Sequence, residues 1–156
     1  YEGAKALANG EVTRAHYARY LVQIGKVSND GQAFKRYLGG GKSCFVKAEW
    51  VDIPTAIETI HAAGGVAVIA HPMRYNMTGK WIRRLIVDFK QWGGDGMEVA
   101  DSGQTKDQRQ YLARLANEYD LAASLGSDFH FPCGWIELGK NLFLPEEVKP
   151  IWTLFE

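Results

Sequence analysis

The chain has 156 residues, 46% of them apolar and 23% charged, which is the make-up of an ordinary folded domain and long enough to bury a core. Eighteen basic residues against eighteen acidic ones leave a formal net charge of zero, which excludes a protein whose main task is to coat nucleic acid but leaves room for a local basic pocket. Two cysteines, Cys44 and Cys133, exclude a disulfide framework, and no apolar run approaches a membrane span, so the expected setting is reducing and cytoplasmic.

The chain opens on Tyr1 and no signal-peptide pattern follows; a piece of a longer protein is expected. "EGAKALANG" predicts a short helix stopped at Gly10. "TRAHYARYLVQIG" predicts a second, capped by Thr13, with Tyr17, Tyr20, Leu21 and Ile24 on one face. "NDGQAFKRYL" predicts a third before "GGGKS" breaks the chain. That glycine run is not a phosphate loop, because Arg36 stands where the motif needs its first glycine.

From Asp52 the grammar becomes helix and strand in alternation. "DIPTAIETIHAAGG" has a cap-like Asp52 and carries Ala56, Ile57 and Ile60 on one face. "VAVIA", residues 66–70, is a β-branched apolar run that fits a strand covered on both faces. "KWIRRLIVDFKQWGG" puts Ile82, Leu85, Ile86 and Phe89 together, and "GMEVA" is a second strand. "TKDQRQYLARLANEYD" opens with a Thr105–Gln108 capping box and packs through Leu112, Leu115 and Tyr119. "LAASLG" is a third strand, and "LPEEVKPIWTLF" predicts a closing helix with Pro145 early. The alternation predicts an α/β fold of parallel units, too few to close an eight-fold barrel.

Active sites of parallel α/β folds form at the carboxyl ends of the strands. Here the first run ends in His71, the second contains Glu98 and ends at Asp101, and the third leads into "GSDFH", with Asp128 and His130 alternate along the backbone. Singly, each is ordinary: a histidine after a strand usually satisfies itself in a loop, and Glu98 suits a metal, a backbone group or an arginine equally well. Jointly they point to a metal site. Imidazole and carboxylate suit manganese, zinc or iron, and the lack of a thiolate cluster disfavours structural zinc. Such ions acidify water and polarise phosphoryl oxygens, and Arg74 and Lys80 follow His71 closely enough to hold phosphate. His61, near a helix C-terminus, reads as structural, and Cys133 as a packing residue beside the rim. His16 and Arg14 read as surface groups or as groups reaching over the rim.

"GGVAVIAHP" followed by "GSDFH" resembles the third and fourth motifs of the PHP (polymerase and histidinol phosphatase) family of metal-dependent phosphoesterases. "VTRAHYARYLVQIGK", "AHPMRYNMTGKW", "MEVA" and "GSDFHFPCGWIELGK" resemble a bacterial branch of that family that trims RNA ends. The resemblance implies part of a distorted (β/α)7 barrel, residues 44–156, preceded by a small helical insertion, residues 1–43. It implies a divalent metal cluster, manganese foremost, with His71, Asp128 and His130 as ligands and Asp128 and His130 at the catalytic centre. Arg14 and Arg74 would hold substrate phosphates. The substrate implied is a nucleotide or short RNA, and hydrolysis would release 5′ nucleotides or cleave 3′,5′-bisphosphonucleotides. The family's opening HxH and TDH motifs are absent, so an N-terminal remainder of the same protein is expected to complete the site. Met73 stands where relatives often have glycine. A phosphatase for a small metabolite such as histidinol phosphate, or a non-catalytic interaction module, are the other readings the residues allow.

Overall fold

The computed structural model describes every residue except Phe131, Cys133, Trp135 and Glu156, so the packing role expected of Cys133 lies outside the described residues. The chain divides into two compact units, Tyr1–Trp50 and Val51–Glu156.

The first unit is helical: α1 (Glu2–Lys5), α2 (Arg14–Gln23) and α3 (Asp30–Ala33), the last widening into a π turn at Phe34–Leu38. Its small core is Ala18, Val27, Ala33 and Leu38, flanked by Tyr17, Leu21, Val22, Phe34 and Tyr37. α1 ends at Lys5, well before Gly10, and Ile24 is exposed rather than on a buried face. The buried position of α2 is Ala18, a side chain small enough to let neighbours approach. Gly3 serves the same end, since a Cβ there would fall 2.1 Å from the Tyr20 ring. Asn29 caps α3 by accepting the Gln32 N–H at 2.9 Å.

The second unit is an α/β layer. α4 (Ile53–Ala62) starts at Asp52, whose carboxylate accepts the Thr55 N–H at 2.9 Å, with Pro54 in its first turn. β1 (Val68–Ile69), β2 (Gly96–Asp101) and β3 (Ala122–Gly126) form a parallel sheet in the order β1-β2-β3. α5 (Gly79–Gln91) and α6 (Lys106–Glu118) make the crossovers. The register aligns Val68 with Gly96 and Gly96 with Ala122, so the three carboxyl ends leave the sheet at one edge. The capping box of α6 forms as the sequence predicts: Thr105 Oγ accepts the Gln108 N–H, and Gln108 Oε1 accepts the Thr105 N–H.

Two elements differ from expectation. The strand predicted over 66–70 shortens to two residues because Ala67 gives its N–H to the Asp95 carboxylate at 2.7 Å instead of a ladder. The closing helix is absent. Pro150 has no N–H to donate to a helix interior, and Ala123 donates to the Lys149 carbonyl at 2.7 Å, which lays Lys149–Pro150 beside β3 as a parallel bridge. Only a short turn, Ile151–Leu154, follows.

The core is formed by Ile57, Ile82, Ile86, Phe89, Met97, Val99, Leu112, Leu115 and Leu121, with Leu85 and Tyr119 against it. β2 lies in the middle and is buried along its whole length, which places Glu98 and Asp101 out of water among apolar neighbours. Ile86→Ala in α5 is expected to cost about 2–5 kcal/mol of unfolding free energy, whereas Trp81→Ala on the exposed face of the same helix should change it by less than about 0.5 kcal/mol. Denaturant titration of the two variants checks both.

Candidate functional site

The strand ends deliver their polar residues under evident backbone tension. His71, just past β1, has φ 33° and ψ 55°, and Asp128, just past β3, has φ 53°. Both are left-handed, a conformation that side chains other than glycine, asparagine and aspartate rarely take. For His71 the following Pro72 adds a further restriction. Strain of this kind costs about 1–3 kcal/mol and persists only where surrounding contacts over-determine it.

Those contacts are present. The His71 N–H donates to Glu98 Oε2 at 2.5 Å, and its carbonyl accepts the Arg74 N–H at 2.9 Å. Its ring stands edge-on to Tyr75 at 5.8 Å between centroids, and the Tyr75 hydroxyl donates to the Ala70 carbonyl at 2.7 Å. Glu98 is thus the backbone-binding residue among the alternatives its sequence left open. Its other oxygen, Oε1, lies so close to Gly126 that a Cβ there would come within 2.5 Å. One buried carboxylate therefore bonds the end of β1 and occupies the space that a side chain at Gly126 of β3 would need. Burial pushes the Glu98 carboxyl up from its ordinary value; the His71 N–H opposes this, and the negative charge of Asp101 adds to it.

A second acid sets the arginine. Asp101, 2% exposed, accepts from Arg74 through both oxygens, Nε to Oδ2 at 2.7 Å and Nη2 to Oδ1 at 2.9 Å. Arg74 Nη1 also donates to the Asp128 carboxylate. Burial alone would raise the Asp101 carboxyl, but Arg74 and the Gly103 N–H at 2.7 Å outweigh it and hold it below the usual range. The Arg74 guanidinium is correspondingly held above its ordinary value by the Asp101 hydrogen bond, with Asp128 and Glu98 contributing charge.

His130 approaches Asp128 from the other side. Its Nδ1 lies 2.8 Å from the Asp128 carbonyl and 3.7 Å from Oδ1, and its side chain is 72% exposed. His71 Nδ1 is buried and has no hydrogen-bond partner. Among the described residues, no group of three or more His, Cys, Asp or Glu side chains is gathered closely enough to hold an ion. The structure thus joins Asp128 to His130 and to Arg74, and joins His71 to the same rim through Glu98, without closing a ligand shell.

The remaining candidates sit elsewhere or do other work. Lys80 opens onto a separate depression with Trp81, Arg84 and Asp88. Arg14 is exposed in the first turn of α2, in the helical unit, and His16 Nδ1 accepts the Thr13 N–H at 3.0 Å to close that helix's capping box. His61 pairs with Asp95 at 2.7 Å, a structural role. The sequence did not disclose that Asp101 holds Arg74, or that Gly126 makes room for Glu98. A glycine at the end of β3 beside a buried acid in β2 was the available signal.

Two expectations follow from this geometry. Glu98→Gln keeps an acceptor for the His71 N–H, whereas Glu98→Ala buries it unpaired and is expected to cost about 1–3 kcal/mol more, measured by denaturant titration. Folding lowers the Asp101 carboxyl, so its stabilisation is complete above the unfolded value near ~3.9 and lost as pH falls through the lower folded value. Asp101→Asn should therefore lower the Tm at neutral pH, and the gap from the wild type should narrow below about pH 4.

No family model matches the chain. It is 82% identical over 155 residues to a 5′-3′ exoribonuclease of Haemophilus influenzae, covering 99% of this chain and 57% of that protein. It is 42% identical over 146 residues to a 3′,5′-nucleoside bisphosphate phosphatase of Chromobacterium violaceum, covering 93% of this chain and 51% of that protein. Among solved structures, an amidohydrolase from Chromobacterium violaceum with bound sulfate and no metal superposes with a TM-score of 0.83 at 39% identity, over 98% of this chain and 54% of that one. A protein of Bifidobacterium adolescentis described as a metal-dependent phosphoesterase gives a TM-score of 0.67 at 26% identity, over 99% and 54%. The chain therefore spans a little over half the length of the relatives it matches, and along nearly all of its own length it is similar to proteins named for the hydrolysis of phosphate esters.

Proposed function

We propose that this chain carries part of the active site of a PHP-family metal-dependent phosphoesterase that hydrolyses phosphate esters of nucleotides or RNA 5′ ends. The observation that carries the reading is the convergence of Asp128, His130, Arg74 and Asp101 at the carboxyl edge of a parallel sheet, with His71 held at the same edge. The names of the relatives support it: a 5′-3′ exoribonuclease and a 3′,5′-nucleoside bisphosphate phosphatase share the sequence, and a metal-dependent phosphoesterase shares the fold. In the same reading the α/β unit is a portion of a (β/α)7 barrel, the N-terminal residues are a helical insertion, and the rest of the full-length protein supplies the further ligands.

The residues present fit a divalent ion as a partial set. His71 Nδ1 is a buried nitrogen with no hydrogen-bond partner, the kind of atom a metal satisfies. The carboxylates of Asp101 and Asp128 both pair with one cation, Arg74, and this concentration of acids supports the reading of a cation site at this edge. His71, Asp128 and His130 would hold the metal, with manganese, zinc and iron all suited to imidazole and carboxylate. When bound, such ions supply acidified water and charge withdrawal from the phosphoryl oxygens.

The chain's own residues have distinct tasks. Asp101 fixes the Nε and Nη2 edge of Arg74, so that its Nη1 side is the part directed at Asp128 and at an incoming phosphate. Glu98 fixes the backbone of His71 and leaves the imidazole to act as a ligand. Arg14, like Arg74, is assigned to the substrate phosphates. The sulfate in the Chromobacterium violaceum structure, an anion of phosphate shape, suits a site of this character.

The test uses the full-length protein with manganese, a 3′,5′-bisphosphonucleotide and a short 5′-phosphorylated RNA. Asp128→Ala should lower kcat/KM by at least about 100-fold, the upper end of what loss of a mere supporting contact costs. Chelation should abolish turnover and added metal restore it. Absence of turnover on both substrates, or full activity in Asp128→Ala, overturns the assignment.

A further inference from the structure

The edge of β2 carries a second recess that the metal chemistry does not use. It has a volume of about 320 Å³ and is lined by Ser102, Gln104, Lys106, Arg109, Asn141 and Phe143, among others. Such a volume lies at the lower end of small-ligand sites. Ser102 directly follows Asp101, and its hydroxyl donates to the Ser127 carbonyl at 3.1 Å, so the recess begins one residue away from both Asp101 and Asp128.

Its walls are built rather than incidental. Arg109 is 95% buried by its 5% exposure, and its Nη2 donates to the Asp101 carbonyl at 3.3 Å and the Asn141 carbonyl at 3.1 Å. Its Nε is buried with no partner. Among the described residues no carboxylate forms an ion pair with this guanidinium; Asp101, whose charge reaches it, gives its carboxylate oxygens to Arg74 and the Gly103 N–H. The guanidinium lies 4.0 Å from the centroid of the Phe143 ring. Phe143 is nevertheless 61% exposed. One face of the ring thus rests on a fixed cation and the other is open to solvent, while Lys106 adds positive charge beside it.

We propose that this recess receives the base of the nucleotide on the 3′ side of the scissile phosphate in a single-stranded RNA, a base that a 3′,5′-bisphosphonucleotide lacks, stacked on the open face of Phe143, with Lys106 near the connecting backbone. The proposal rests on the phosphoesterase reading and deepens it by naming the substrate's second contact. An aromatic face on a positively charged floor is the combination that single-stranded nucleic acid requires, since stacking tolerates any base and the charge attracts the backbone. The amides of Gln104 and Gln110 supply donors and acceptors to base edges without imposing a sequence.

The experiment compares Phe143→Leu, which keeps apolar bulk but removes the π face, with Phe143→Trp, which keeps the face, in the full-length protein. The readout is kcat/KM for a 5′-phosphorylated pentaribonucleotide divided by kcat/KM for a 3′,5′-bisphosphonucleotide. Phe143→Leu should lower this ratio about 5- to 100-fold, the worth of one stacked base, and Phe143→Trp should restore it. An unchanged ratio in Phe143→Leu, or an equal fall in Phe143→Trp, overturns the proposal. Should the wild type hydrolyse neither substrate, the phosphoesterase reading fails by itself. Fluorescence anisotropy of the labelled pentaribonucleotide then decides the recess: weaker binding in Phe143→Leu with recovery in Phe143→Trp supports it, and equal binding in all three proteins overturns it.

Discussion

Glu98 stands in the middle of the central strand, where neighbouring positions are filled by Met97, Val99 and the helices packed over them. A carboxylate in such a place must find donors or give up its charge. The donor it finds is the N–H of a histidine whose backbone is bent into the left-handed region, and the space it needs is left by a glycine on the opposite strand. Each of the three features would be unfavourable alone. The strained histidine offers an N–H that an extended chain would have spent on the sheet, the glycine removes the atom that would collide, and the acid ties them together.

Charge compensation extends the same logic outward. Glu98, Asp101 and Asp128 are held near one another, and Arg74 is the cation in contact with the latter two. The two buried acids are perturbed in opposite directions because their partners differ: Glu98 has a backbone N–H, Asp101 has an arginine fork and a second amide. An edge with more negative than positive charge attracts further cations. In the proposed phosphoesterase reading, this is the electrostatic condition for binding metal before a negative substrate arrives.

Much of this was legible in the residues. The periodic spacing of α5 and α6 placed Ile82, Ile86, Leu112 and Leu115 in the core, and the Thr105–Gln108 pair marked a helix start at the correct residue. The succession of three strands and the carboxyl-end rule placed His71, Asp128 and His130 just past strand ends, and the sheet order β1-β2-β3 sets those ends side by side. Less legible were features that depend on partners distant in sequence. The run over 66–70 reads as a full strand until Asp95 takes the Ala67 N–H, and the terminal segment reads as a helix until the Lys149 carbonyl is seen to accept the Ala123 N–H beside β3. Arg74 was readable as a residue near the rim, but its bidentate seat on Asp101, twenty-seven positions away, was not.

The left-handed backbone at positions 71 and 128 has one more consequence. Glycine adopts that conformation freely, so a glycine would relieve the backbone at His71 and, to a smaller degree, at Asp128. Neither imidazole nor carboxylate chemistry survives such an exchange. If the proposed site roles hold, stability and turnover pull in opposite directions at these two points. Efforts to harden the protein against heat meet their boundary there, and gains must be sought in the helical layers instead.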